Sequence, residues 1–206
     1  METEGVEEKR GESVPRSIPS GSFRTSPVAR VAGRSGSTIR KATGERLLIA
    51  GIGNILLGDD GFGVFVARQL STRSLPPSVR VVEFGIRGWD LAFTLLHAWE
   101  SVIVVDAVVR GEEPGTLFQL EVDTCDLSWA ESGGAVVETH DVVPSKVFAL
   151  AKRLGAPDRR IHVVGCEPRP ESARAVELDL GPQVAAAVPE AARMVAALAK
   201  RLLGDS

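Results

Sequence analysis

Residues 47–63, LLIAGIGNILLGDDGFG, leave this chain few ways to fold. The apolar run Leu47–Ala50 is closed by Gly51 and Gly53, the pattern of a short buried strand. A second apolar patch follows, then Asp59, Asp60, Gly61 and Gly63, and the apolar spacing of VFVARQL predicts a helix. A strand, a tight glycine turn and a helix in this order open an α/β sheet. They place the two adjacent carboxylates on a loop at the carboxyl end of a strand, where open α/β sheets hold their ligands. Two unit charges roughly 4 Å apart repel by about 4 kcal/mol at an effective dielectric near 20, so a cation, a proton or an outward rotation must relieve the pair.

The rest of the chain continues the alternation. Strands are expected over 46–51, 79–84 and 101–105, the last a β-branched run without polar alternation that ends in Asp106, as in a strand covered on both faces. A further strand over 115–122 belongs near an edge, and the final one spans 160–164. Helices are expected over 61–72, 88–99, 142–154 and 182–203, with Pro144 in the first turn of the third. The last carries Val184, Val188, Ala191, Val195, Leu198 and Leu202 at spacings of four and three, one face of a helix packed on a core. Residues 123–139 read as a long loop. The expected fold is α/β: a three-layer sandwich with a twisted, mostly parallel sheet, helices on both faces and the carboxyl ends of the strands along one edge.

Residues 1–44 are expected to be a disordered N-terminal extension, and residues 45–206 a single α/β domain. The first segment is rich in Ser, Gly, Pro and Arg and has no sustained apolar period, so it cannot bury enough surface to offset its ordering entropy. It has no apolar h-region of a secretory signal. A net charge of −3 argues against a nucleic-acid partner, and no apolar run is long enough to span a membrane. The two cysteines, Cys125 and Cys166, are far apart, which excludes a disulfide framework and a cysteine zinc site. A cytoplasmic monomer is expected.

Three residues converge on the expected edge. Asp60 follows the first strand, Asp106 ends the third, and His140 lies just before the third helix, in Glu138-Thr139-His140-Asp141. Two carboxylates and an imidazole from three loops form a divalent-metal site with open positions, compatible with Ni, Zn, Fe or Mn. Each also has a plainer reading: Asp60 as a helix cap, Asp106 as a partner for turn amides, His140 as a surface or capping histidine. Asp59 is expected to cap or support, and His97 and His162 to be structural. Gly51-Ile52-Gly53 supplies two glycines of a dinucleotide turn and Glu83 sits where a ribose-binding acid belongs, but Leu56 replaces the third glycine and the acids would repel a pyrophosphate. No GxSxG elbow of a serine hydrolase is present.

The stretch Gly51–Gly63 resembles the N-terminal signature of the [NiFe]-hydrogenase maturation endopeptidases. The resemblance continues through Val104-Val105-Asp106-Ala107, Thr139-His140 and Gly165-Cys166-Glu167-Pro168, and covers about residues 46–203. It implies an aspartic-type endopeptidase with Asp60, Asp106 and His140 as both catalytic and nickel-engaging residues. The implied partner is a [NiFe]-hydrogenase large-subunit precursor that carries the nickel and loses a C-terminal extension. Gly85-Ile86-Arg87-Gly88 takes the place of a glycine-containing family segment and is expected to contact substrate. A nucleotide- or metal-binding α/β module without protease activity is the alternative.

Overall fold

The computed structural model of the chain describes residues 44–125, 144–172 and 176–204. The expected disordered segment (Gly44 excepted), most of the expected long loop and His140 lie outside the described residues. A five-stranded sheet is built from β1 (Leu47–Ile52), β2 (Val79–Gly85), β3 (Ser101–Ala107), β4 (Leu117–Asp123) and β5 (Arg160–Cys166), in the order β2-β1-β3-β5-β4. Neighbours from β2 to β5 pair parallel, and β4 pairs antiparallel with β5 at the edge. The sheet is therefore mixed. The expectation that every strand ends at one edge fails for β4, which runs the other way.

The helices are α1 (Phe62–Ser71), α2 (Gly88–Thr94), α3 (Pro144–Arg153) and α4 (Pro182–Leu203), with a single 3₁₀ turn, Gly58–Gly61, ahead of α1. Alternate residues of β1 go to opposite faces, as the period of a strand requires. Leu47 and Ile49 join Phe62, Val66 and Leu70 of α1 and the inner face of α4, including Val184, Val195 and Leu198. Leu48, Ala50 and Ile52 join Leu91 of α2, Leu95, and Val147 and Phe148 of α3. This is the expected three-layer sandwich, and every residue of β1 is buried. Full burial of one such aliphatic side chain stabilises by about 1.5–3 kcal/mol.

Helix α2 stops at Thr94, earlier than the expected 99. The indole N–H of Trp99 donates to the Thr94 carbonyl at 2.9 Å. The His97 amide donates to the same oxygen at 3.2 Å. Trp99 reaches the core by folding back over the helix end. At the other extreme, α4 ends as its sequence prescribes, with Gly204 left-handed at φ +75° and its N–H on the last carbonyls.

Connections from β1 lead first to β2 on one side and later to β3 on the other. The direction of winding thus reverses at the border of β1 and β3, and the carboxyl ends of these two strands flank the crevice that a doubly wound sheet leaves for ligands.

Candidate active site

Close backbone packing assembles the crevice. Gly53 has φ +118°, and a Cβ there would lie 1.8 Å from the Asp60 carbonyl oxygen. A Cβ on Gly63 would lie 2.0 Å from the Val105 oxygen and 2.5 Å from the Ile52 oxygen. These glycines let the turn Gly58–Gly61 fold onto the end of β1 and let α1 start against β3. Asp60 and Asp106 are brought together as a consequence. The Asp60 carboxylate accepts the Asn54 N–H at 2.6 Å, so it turns back toward the glycine turn. No side chain caps α1, which removes the capping reading of both acids.

Asp106 is the penultimate residue of β3 and only 5% exposed. Burial, and then the neighbouring charge of Asp60, push its carboxyl well above the usual range, against a weaker opposing bond from the Ala107 amide. Asp59 is fully buried and has the opposite fate. Burial would raise its carboxyl, but Arg169 and the backbone outweigh it and hold it below the ordinary value. It accepts the Arg169 N–H at 2.9 Å, Arg169 Nε at 2.8 Å and the Gly181 N–H at 2.6 Å. Arg169 also bonds Glu177 at 2.8 Å. Asp59 is thus the anchor that ties the turn before α1 to the segment between β5 and α4. The partner for a buried acid was foreseeable from the charge cost of the pair; that it is Arg169, in an otherwise unpatterned stretch, was not.

A cleft of about 470 Å³ opens beside Asp60, lined also by Ala107, Val109, Glu112, Glu167 and Arg169. A second groove of about 360 Å³ runs on the other side of the glycine turn, between Leu56 and Ile86. The Gly85–Gly88 turn therefore borders the same edge of the sheet. Among the described residues, no three His, Cys, Asp or Glu side chains are grouped to hold a metal ion. Asp60 and Asp106 are neighbouring carboxylates, and oxygen donors of this kind suit a divalent cation.

Other candidates are otherwise engaged. Glu83 holds Arg68 through two bonds of 2.9 Å, leaving it as an ion-pair partner rather than a ribose acid. His97 faces the Thr94 carbonyl at 3.0 Å, on the approach to β3 and away from its carboxyl end. His162 packs within β5 beside Glu121. Cys166 is buried, and burial foremost, with the charges of Asp59 and Glu167, pushes its thiol up to about 12, so it is no nucleophile.

A sequence model of the family described as hydrogenase maturation protease matches residues 64–198. The chain belongs to this family. The matched span contains Asp106 and begins just after Asp60. Hydrogenase expression/formation protein HupD of Rhodobacter capsulatus is 38% identical over 125 residues, 60% of this chain and 58% of that protein. The coenzyme F420 hydrogenase subunit delta of Methanothermobacter thermautotrophicus is 34% identical over 155 residues, 72% of this chain and 91% of that protein. The crystal structure of a hydrogenase 2 maturation peptidase from a Thaumarchaeota archaeon superposes with a TM-score of 0.57 at 34% identity, covering 79% of this chain and all of that one (100%). Family membership and fold agree with what the 47–63 stretch led us to expect.

Proposed function

We propose that the protein is an endopeptidase that removes the C-terminal extension of a [NiFe]-hydrogenase large-subunit precursor and recognises the nickel already loaded there. One observation carries this reading: Asp60 and Asp106 meet at the β1/β3 switch point, beside an open cleft, in a hydrogenase maturation protease chain. Nickel is cargo of the substrate, not a resident cofactor. Asp60 and Asp106 are the proposed oxygen ligands and His140 the proposed nitrogen ligand, with the remaining positions left to the precursor. Asp106 is costly to ionise while empty-handed, because it is buried and faces the charge of Asp60. A divalent cation held by the two carboxylates would offset both penalties. The pair therefore favours a precursor that arrives with its metal over one that does not.

The cleft beside Asp60 would hold the segment to be cut, and the groove between Leu56 and Ile86 would take a further stretch of the precursor. Among the described residues no helix is long and apolar enough to cross a membrane. We place the reaction in the cytoplasm, with a monomeric enzyme. The decisive experiment offers the protein nickel-loaded and nickel-free precursor. Only the loaded form is expected to lose its tail; equal cleavage of both would sink nickel recognition. Asp60→Asn should abolish cleavage while far-UV circular dichroism stays unchanged, and full activity in that variant would remove Asp60 from the site.

A further inference from the structure

Glu167 follows β5 directly and is 4% exposed. Among the described residues no lysine or arginine lies at salt-bridge distance from its carboxylate. Both oxygens are used on backbone instead: Oε2 accepts the Arg110 N–H at 2.7 Å, and Oε1 accepts the Gly111 N–H at 3.1 Å. Its own backbone continues the pattern. The Gly115 N–H donates to the Glu167 carbonyl at 2.9 Å, and the Glu167 N–H donates to Thr116 at 2.9 Å. One step back, the Val108 N–H donates to the Cys166 carbonyl at 2.9 Å.

The topology explains this concentration. β3 and β4 are consecutive in the chain, but β5 lies between them in the sheet. The connection from Val108 to Thr116 must therefore cross the carboxyl end of β5, and Glu167 sits where it crosses. That connection starts two residues after Asp106 and presents Val109, Gly111 and Glu112 to the cleft beside Asp60. Burying a carboxylate there is more costly than burying an apolar side chain. What the carboxylate provides is two charge-assisted bonds that fix two successive amides.

We infer that Glu167 is a positioning residue: its carboxylate clasps the Val108–Gly115 connection into the wall against which the precursor's C-terminal segment lies. This rests on the proteolytic reading above. An amide in place of the carboxylate offers one acceptor and one donor, so Glu167→Gln leaves the Arg110 or the Gly111 N–H facing a donor.

Full-length wild-type and Glu167→Gln proteins are compared on nickel-loaded precursor and, separately, under limited trypsin digestion at the exposed Arg110. The expected result is a KM raised about tenfold, the weight of one charge-assisted bond, with kcat within about twofold. Cleavage after Arg110 should also quicken. A fall in kcat at unchanged KM, as from a smaller folded fraction, would overturn the clasp, as would undiminished protection of Arg110. Val109→Asp is the second variant, because Val109 is 78% exposed and its replacement leaves the core untouched. It should also raise KM, and an unchanged KM would mean that this wall does not meet the substrate. A wild-type protein that leaves the precursor intact overturns the proteolytic reading instead, and the trypsin arm still decides whether Glu167 holds the connection.

Discussion

Asp59 and Asp106 are buried carboxylates on the same edge of the sheet, and their surroundings treat them oppositely. Asp59 is enclosed by Arg169 and two backbone amides, which hold it charged below the ordinary carboxylate range. Asp106 meets burial and the like charge of Asp60, which push it well above that range. A compensated buried acid is part of the framework. An uncompensated one keeps its proton until a positive charge approaches, and such strongly perturbed groups gather at functional sites. The segment Asp59-Asp60 therefore divides between two jobs within one peptide bond: Asp59 fixes the turn, and Asp60 faces the cleft.

Replacing each acid with its amide separates these jobs. On the proposed metal-ligand role, Asp106→Asn is expected to lower precursor cleavage by about a hundredfold or more, since even partners behind a metal ligand cost 10- to 100-fold when changed. Its thermal midpoint should not fall, because the Asp106 carboxyl is buried beside the like charge of Asp60 and gains nothing from ionising there. Asp59→Asn should do the reverse. Breaking a buried ion pair by removing one partner costs about 3 kcal/mol or more, and the loss appears as a lower denaturant midpoint. If Asp106→Asn proved the more destabilising of the two, the division between framework and site would collapse.

What the sequence disclosed follows the same line. The sandwich, the helix α4 and the juxtaposition of Asp60 with Asp106 were legible because they depend on periodicity and on glycines with one local meaning. Gly53 and Gly63 announce close backbone approach, and strand ends after glycine turns point to one edge. The early end of α2 was hidden because a side-chain bond from Trp99 to Thr94 competes with the next helical bond, and apolar spacing carries no trace of it. The direction of β4 was hidden because alternation is the same for either direction of pairing. Arg169 and Glu167 were missed for a related reason: their partners are 110 and 57 residues away, at Asp59 and Arg110. Long-range polar pairs leave no local pattern. The cost of burying an acid was the only clue, and it gave the need for a partner without its address.

His162 sharpens the comparison from outside the site. Burial, first of all, holds its imidazole below the ordinary value; Arg201 of α4 and Arg160 of β5 act in the same direction, and Glu121 of β4 opposes them. Its Nδ1 lies 3.6 Å from Glu121, beyond hydrogen-bond reach, so the pair does not balance the burial. Like Asp106, it is a group whose charged form is disfavoured, yet it is only partly buried and packs away from the cleft. Its effect should fall on stability alone. The folded protein resists protonating it, while the unfolded chain takes the proton near the ordinary value of 6.5. The unfolded state then binds more protons as pH falls below that value, so stability is full above it and declines below it. Chemical denaturation across this window should show a shallow loss on the acid side that His162→Gln flattens, with KM and kcat unchanged in both proteins at neutral pH. A change in KM in His162→Gln would mean that burial-driven shifts do not by themselves distinguish the framework from the site, and the contrast between Asp59 and Asp106 would then rest on the Asp60 charge alone.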